Sequence, residues 1–410
     1  MLKATKALHH IVGNITALFS LKVIDLGLSL WLIPYLIVKV GLYNYGVYAF
    51  AMSLVLFFEN ILNYGFHLST VRELSKYKDN HNRVEQIVNQ VISVKLFLVI
   101  LLGVLFILLS FTIPEFSKHI NLYLFSSLLL LSGFFSLRWF FMGIEKMKFI
   151  TFIHLAATLI FVTLSLVYIK KATDYSKIPL YEAIGGVVTN IFSFVWVLKT
   201  QKIKIKLLSI KEIIKYLKLE FSSFINLLVP STFGVFIVFL SGLLGMPFYV
   251  GLTQIGVKFT AAFTTLNTIL TNVFYPLVNR KEIFKRATKK ILIGSGSVLS
   301  LVMFVVGEYL IKCWLHFENG EMEENMIRIV KFLSPIPFLA AIVSSYGVND
   351  LLTRYKDKQF GFITITTSLI MLTMAVILIP IYPIIGAALA FVIARFVYAI
   401  LSYYFSTQIE

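Results

Sequence analysis

Charge is scarce in this sequence. Asp, Glu, Lys and Arg make up 14% of its 410 residues, whereas a soluble domain carries about 25%, so a water-solvated globular surface is excluded. Cysteine is scarcer still: Cys313 stands alone, which excludes an intramolecular disulfide and a cysteine-based metal cluster. The chain also lacks a Walker-type phosphate loop, a metal-spaced His/Cys set and any Ser/His/Asp arrangement that spacing supports. Its seven histidines are scattered. His9, His10, His67, His81, His119 and His316 fall near loops or span ends, and His154 reads as a packed helix residue. Long polar stretches are missing as well. Gaps between apolar runs reach about 25 residues at most, too few to fold a catalytic domain alone.

What is present is apolar surface. Hydrophobic residues make up 58% of the chain, with 38 phenylalanines. Runs such as Val94–Ser110 and Ile291–Val306 are continuous, unlike the period-2 alternation of outer-membrane barrel strands, so helical spans are expected. At roughly 32–35 residues for a span and its loop, the chain accommodates about twelve. They are placed at 11–37, 44–66, 90–113, 121–143, 149–169, 180–198, 221–245, 250–276, 291–314, 330–351, 360–380 and 383–405. The predicted fold class is an all-α polytopic membrane protein. Met1–His10 is polar and basic, and the apolar stretch after it lacks a small-residue cleavage site, so residues 11–37 read as a retained first span.

The net charge of +17 would suit a nucleic-acid partner if the basic residues shared one soluble face. They fall instead between alternate apolar runs. Counting residues at span ends with the adjoining loop, the stretches before spans 1, 3, 5, 7, 9 and 11 hold 25 of the 37 lysines and arginines, and the opposite loops hold 8. The positive-inside rule puts the richer set, and with it both termini, in the cytoplasm; the acidic loop His316–Glu324 fits the outside. No nucleic-acid partner is expected. The most basic stretch, Thr200–Glu220, divides the spans six and six, which predicts bundles over 1–199 and 221–410 joined by a linker over 200–220. Within it, Ser209-Ile-Lys-Glu212 has the form of a capping box. Lys211, Lys215 and Lys218 then share one helical face, and Ile210, Ile214 and Leu217 another, as in a helix lying on anionic headgroups. A solvated basic loop is the plainer alternative. Gly41-Leu-Tyr-Asn-Tyr45-Gly46 before span 2 echoes Gly245-Met-Pro-Phe-Tyr249-Val-Gly251 before span 8, a short match that permits an internal repeat.

Function in such a chain must reside in its interior, where ionisable groups are costly and usually line a cavity or pair with each other. Apart from those counted with the adjoining loops at span ends, the basic residues within spans are Lys22, Lys95, Lys258 and Arg395. Lys22 and Asp25, three residues apart, share a face of span 1 and either neutralise each other or serve a cavity. Glu59 in span 2 either snorkels to the nearer interface or faces the interior. Lys258 in span 8 would have to pass apolar neighbours to reach water. Arg395 lies near mid-span in span 12, beside the small-residue row Gly386, Ala390 and Ala394, and either meets a carboxylate or faces a polar cavity. Lys22, Asp25, Glu59, Lys258 and Arg395 sum to a slightly cationic interior, which favours an anionic ligand such as phosphate or pyrophosphate. Pro230 in span 7 and Pro335 with Pro337 in span 10 are expected to interrupt their helices.

Several strings resemble one family. Pro34-Tyr35, the run from Gly41 through Ser53, Leu62-Asn-Tyr-Gly65-Phe66, Ser69 and Arg72-Glu73 are similar to the first two spans of the polysaccharide-lipid flippases. These are the Wzx-type O-antigen and capsule exporters of the multidrug/oligosaccharidyl-lipid/polysaccharide exporter superfamily. Trp139-Phe-Phe-Met-Gly143-Ile-Glu145-Lys146-Met147 resembles the stretch after span 4, with Met142 where that family more often has Gln. Val257-Lys258-Phe259, Tyr275-Pro276, Ile379-Pro380 and Gly386-Ala387-Ala388 continue the likeness along nearly the whole chain.

The resemblance implies two six-helix bundles around a central lumen that opens alternately to either side of a bacterial cytoplasmic (inner) membrane. It implies an undecaprenyl-pyrophosphate-linked oligosaccharide as substrate, membrane lipids as surroundings, and other surface-polysaccharide (lipopolysaccharide or capsule) assembly proteins as partners. Lys22, Lys258 and Arg395 would hold the pyrophosphate, and Asp25 and Glu59 are candidates for coupling to a proton or sodium gradient; no cofactor or metal is expected. A lysine at the Lys258 position recurs in that family, whereas Arg395 matches none of its motifs. One alternative is a multidrug or cation antiporter of the same superfamily, which should carry more acidic than basic interior residues. Another is a membrane-embedded polysaccharide polymerase or ligase, which would need a large external loop. A non-transporting scaffold is a third.

Overall fold

The computed structural model describes residues 24, 26–66, 69–231, 233–245, 247–280, 284–315, 320–354 and 356–408. No strand occurs among them. In chain order the helices are α1 (Leu26–Val40), α2 (Leu42–Leu62), α3 (Ser69–Tyr77), α4 (His81–Thr112), α5 (Pro114–Ser117), α6 (Ile120–Phe135), α7 (Arg138–Gly143), α8 (Met147–Tyr168) and α9 (Ile178–Thr200). There follow α10 (Ile210–Ser231), α11 (Phe233–Leu244), α12 (Pro247–Arg280), α13 (Phe284–Trp314), α14 (Gly320–Leu333), α15 (Ile336–Ile342), a π-helical segment (Val343–Leu352), α16 (Asp357–Ile381) and α17 (Gly386–Thr407). Among the described residues nine helical segments are long and apolar enough to cross a membrane, and α1 and Gly234–Leu244 are shorter apolar helices. The chain is an all-helical polytopic membrane protein.

Its contacts divide it into two compact units. Ala51–Ser231, with residues through Leu32, form the first; Ile33–Phe50 and Thr232–Glu410 form the second.

In the first unit α4 illustrates the solvent for which the fold is built. Asn80 caps it, its side chain accepting from the Arg83 backbone N–H at 3.2 Å, and Pro114 stops it by holding Ile113 extended. Ile100, Leu101, Val104, Leu105, Leu108 and Phe111 stand 44–61% exposed, an apolar stripe that only lipid tolerates. The opposite face is buried, and it includes Lys95. His154 departs from its expected packing: it is exposed, although it stands one turn before Thr158 on the stripe that Thr158, Val162 and Ser165 bury further along α8.

Several of the strings that carry the family resemblance turn out to be helix terminators. Glu145 adopts φ +60°, and the Lys146 and Glu145 N–H groups donate back to Phe141 O and Met142 O at 2.8 and 3.1 Å, closing α7 with a Schellman motif. Tyr64 and Gly65, both at positive φ, turn the chain after α2 so that Tyr64 meets α10. Its hydroxyl donates to Leu217 O at 2.9 Å and its ring stacks on Phe224 at 4.5 Å.

The basic linker is docked on this unit. Residues 203–209 carry no regular secondary structure, yet α4 satisfies their backbone. Asn89 Nδ2 donates to Lys204 O at 3.0 Å, while its Oδ1 accepts from Lys206 N at 3.0 Å. One helical turn on, Ser93 Oγ accepts from Leu208 N at 3.0 Å. The side-chain amide thus stands in for a neighbouring strand. The capping box is formed: Ser209 N and Oγ both donate to Glu212 Oε2, at 2.8 and 2.7 Å. Those bonds hold the Glu212 carboxyl below the usual glutamate range, so the contribution of the cap is complete above that range and fades as pH falls through the lowered value. The helix it opens does not end at Glu220 but continues to Ser231. We expect Asn89→Ala to free this strap, costing about 1–2 kcal/mol and exposing residues 202–208 to limited proteolysis. Unchanged cleavage would show that Asn89 does not hold it.

In the second unit the echoed glycine strings meet. A Cβ added to Gly46 would lie 1.7 Å from Pro247 O, and one added to Gly251 would lie 3.0 Å from Leu42 O, so the start of α2 crosses the start of α12 backbone to backbone. Pro335 and Pro337 interrupt the helical path as expected, with a turn at Ser334–Pro335 between α14 and α15. Side chains of α12 and α13 bind the first turn that follows the break. Phe338 N donates to Ser300 Oγ at 2.9 Å. Asn267 Nδ2 donates to Pro337 O at 3.0 Å, and Ser295 Oγ donates to Asn267 Oδ1 at 2.8 Å. At membrane depth such compensation is obligatory.

Candidate functional site

The charged interior of the first unit is built around another interrupted helix. α6 ends at Phe135 and α7 begins at Arg138, which leaves carbonyls without intrahelical donors. Lys95, reaching from α4, supplies them: its Nζ donates to Gly133 O at 2.8 Å and to Ser136 O at 3.1 Å, with 2% of the residue exposed. Beside it Asn190 Nδ2 donates to Ser132 O and Oγ at 3.2 and 3.0 Å. A helix break is thereby capped by an ammonium group inside the bundle.

Glu59 lies against this break. It is half-buried on α2, and its Oε1 is 3.5 Å from where a Cβ on Gly133 would stand. Lys95 and Glu182 are the charges that act on it. Glu59 thus has a buried lysine and a second carboxylate as its charged neighbours. Lys95 and Glu182 were not among the five interior charges singled out from the sequence. Lys95 stands near the start of its apolar run, where a lysine ordinarily snorkels, and Glu182 stands near the start of its own. Lys22 and Asp25 lie outside the described residues.

Lys258 and Arg395 belong to the second unit, on α12 and α17. Lys258 is half-buried and makes no hydrogen bond or ion pair among the described residues. Val257 beside it, and Phe391 one turn before Arg395, line one narrow apolar cleft with Thr253 and Ala387. The Arg395 guanidinium lies 5.3 Å from the Phe391 ring centroid. The small-residue row Gly386, Ala390 and Ala394 is buried, as close helix packing requires, and Arg395 is half-buried next to it. A second charged centre in this unit, around Asp350, also escaped the sequence reading.

Solved structures with a similar fold include membrane transporters. The backbone matches the lipid II flippase MurJ in an inward closed conformation over 94% of this chain and 86% of that one, with a TM-score of 0.75 and 16% identity. An inward-facing multidrug resistance transporter of the MATE family, in the MOP superfamily, matches over 96% of this chain and 97% of its own, with a TM-score of 0.67 and 13% identity. At such identities the likeness is one of fold. Sequence carries it further, because the model of the polysaccharide biosynthesis protein family matches residues 11–281. The chain belongs to that family. A relative from Escherichia coli (strain K12), named "Putative O-antigen transporter", is 25% identical over 377 residues, 88% of each chain.

Proposed function

We propose that this protein moves an undecaprenyl-pyrophosphate-linked oligosaccharide from the inner to the outer leaflet of a bacterial cytoplasmic membrane, for assembly of a surface polysaccharide such as O-antigen. The observation that carries this reading is the match over 88% of both chains to a relative named for O-antigen transport. The physical logic is that a charged pyrophosphate and its sugars cannot cross hydrocarbon unaided. A polar path between two bundles would carry the head while the polyprenyl tail stays in lipid. In this reading twelve spans form bundles over 1–199 and 221–410, the linker over 200–220 joins them, and both termini are cytoplasmic. Lys22, Lys258 and Arg395 hold the pyrophosphate; Asp25 and Glu59 couple transport to a proton or sodium gradient, with Lys95 as the fixed counter-charge of Glu59.

A cation antiporter of the same superfamily is the second reading, favoured by the carboxylates of the first unit. It predicts that Glu59→Gln abolishes resistance to a cationic dye and leaves surface glycan intact. The flippase reading predicts instead that cells lacking the protein accumulate a lipid-linked oligosaccharide on the inner leaflet. In those cells, Lys258→Ala and Arg395→Ala should each restore less surface glycan than the unaltered protein at equal protein level. Full glycan display by both variants would remove these residues from the substrate path. Absence of accumulation in the deletion strain would sink the flippase reading itself.

A further inference from the structure

Exposed faces of the apolar helices carry large hydrophobic side chains, as lipid requires. On α13, Val298, Leu301, Phe304 and Val305 are 52–64% exposed, and on α16 Phe362 and Leu369 are 58 and 60% exposed. α12 departs from that pattern. It is 34 residues long, yet it is not one of the nine segments among the described residues that are apolar enough to cross a membrane. Of its described side chains, only Leu266, at 37%, is a large hydrophobic residue left exposed.

What α12 shows instead is a straight polar row. Gln254, Lys258, Ala261, Thr265 and Thr268 follow one another at steps of four, three, four and three residues, which places them on one helical face. Ala261 and Thr268 are exposed and the other three half-buried, whereas Leu252, Phe259, Thr260 and Asn267 on the opposite face are buried. From Gln254 to Thr268 the row rises about 21 Å at 1.5 Å per residue, a large part of the roughly 30 Å hydrocarbon layer.

The hydroxyls are bonded within the helix. Thr265 Oγ1 donates to Ala261 O at 2.7 Å, and Thr268 Oγ1 donates to Thr264 O at 3.1 Å. Threonines bonded in this way are tolerated by lipid. Gln254 and Lys258 have no such relief, since neither makes a hydrogen bond or ion pair among the described residues. An amide and an ammonium in that condition are too costly to face hydrocarbon, so this face of α12 borders water. Its chemistry suits sugar hydroxyls, which both donate and accept. With their protons spent inside the helix, the threonine oxygens keep lone pairs that accept from outside, and the Gln254 amide both donates and accepts. Separate contacts along a row, rather than one enclosed pocket, also let a long head group be released again.

We propose that Gln254, Thr265 and Thr268 form a hydroxyl-binding row on α12 for the sugar head of the carried lipid. The substrate class rests on the flippase reading; the aqueous face of α12 does not.

Two measurements test the proposal. In the first, Gln254→Cys, Thr265→Cys and Thr268→Cys are made in the full-length protein with Cys313→Ser, which removes the exposed native thiol. Membranes open on both sides are treated with a charged maleimide that does not enter lipid. Each of the three should react about ten-fold faster or more than Val104→Cys on the exposed apolar stripe of α4, because only a thiol in water forms the reactive thiolate. Labelling no faster than Val104→Cys overturns the proposal. In the second, the deletion strain is complemented with Thr265→Val plus Thr268→Val, which keeps side-chain shape and removes both hydroxyls. The rate at which newly made glycan reaches the surface should fall about ten-fold, and Thr265→Ser plus Thr268→Ser should restore most of it. Full rate with the valine pair, at equal protein level, overturns the sugar assignment. Should the valine pair not accumulate, Thr268→Val alone is compared with Thr268→Ser by the same criterion. A deletion strain without accumulated lipid-linked oligosaccharide would sink the flippase reading and the sugar assignment with it, while labelling of the row would still report its aqueous face.

Discussion

Gly46→Ala is expected to destabilise the purified protein by about 3 kcal/mol or more, read as a large fall in the thermal unfolding midpoint in detergent. The cause is a single methyl group. Built on Gly46, it would stand 1.7 Å from Pro247 O and 2.6 Å from the carbonyl carbon behind it. Those atoms are backbone at the start of α12, so no side chain can swing away and the two helices must separate. Gly251 faces the same crossing with more room, 3.0 Å to Leu42 O, and Gly251→Ala should cost less, about 1 kcal/mol. Gly103 provides the control: nothing lies within 4 Å of its added Cβ in mid-α4, and alanine there should be neutral or slightly stabilising. A Gly46→Ala protein that melts with the Gly103→Ala protein would rule out the close crossing.

Lys95→Met is expected to be the most damaging change to the first unit. Methionine keeps most of the volume and removes both donors, leaving Gly133 O and Ser136 O without the ammonium that now serves them. It also strips Glu59 of its cationic neighbour. Removing one member of a buried charged group costs about 3–5 kcal/mol. Adding Glu59→Gln to Lys95→Met should recover part of that loss, since one uncompensated carboxylate disappears, whereas the carbonyls still lack the ammonium. A double variant no more stable than Lys95→Met would place Glu59 outside the electrostatic reach of Lys95. An unchanged midpoint in Lys95→Met itself would mean that water serves the broken end of α6 equally well.

Both predictions rest on pairings that linear reading approaches without reaching. The echo between Gly41–Gly46 and Gly245–Gly251 was legible as a short repeat, but nothing in either string says that they touch each other. Lys95 was legible as a lysine in an apolar run. Its meaning depends on α6 breaking 38 residues later, a break that no proline or glycine pair announces. Asp350 sits 61 residues from Lys289 and falls at the edge of an expected span, where a carboxylate attracts no notice. The proline interruption in span 10 was foreseeable because proline removes a donor wherever it occurs, and the capping box because both partners lie within four residues.

By itself the sequence determined that this chain lives in lipid, that it is helical, and where its apolar segments fall. Those properties follow from terms that add locally: transfer of side chains from water, hydrogen bonds between residues four apart, and basic residues held back from translocation. The string matches along the chain belong to the same local record, and they agree with its membership in the polysaccharide biosynthesis protein family. Only the tertiary structure decided which charges share an interior, which broken helix ends they serve, and that Lys285, Lys289 and Arg354 gather on Asp350. In a low-dielectric interior the energy of an ionisable group is set by whatever stands within a few ångströms, and those neighbours come from helices that are distant in sequence. Apolar content defined the medium; the partners of a few charged side chains define the candidate sites.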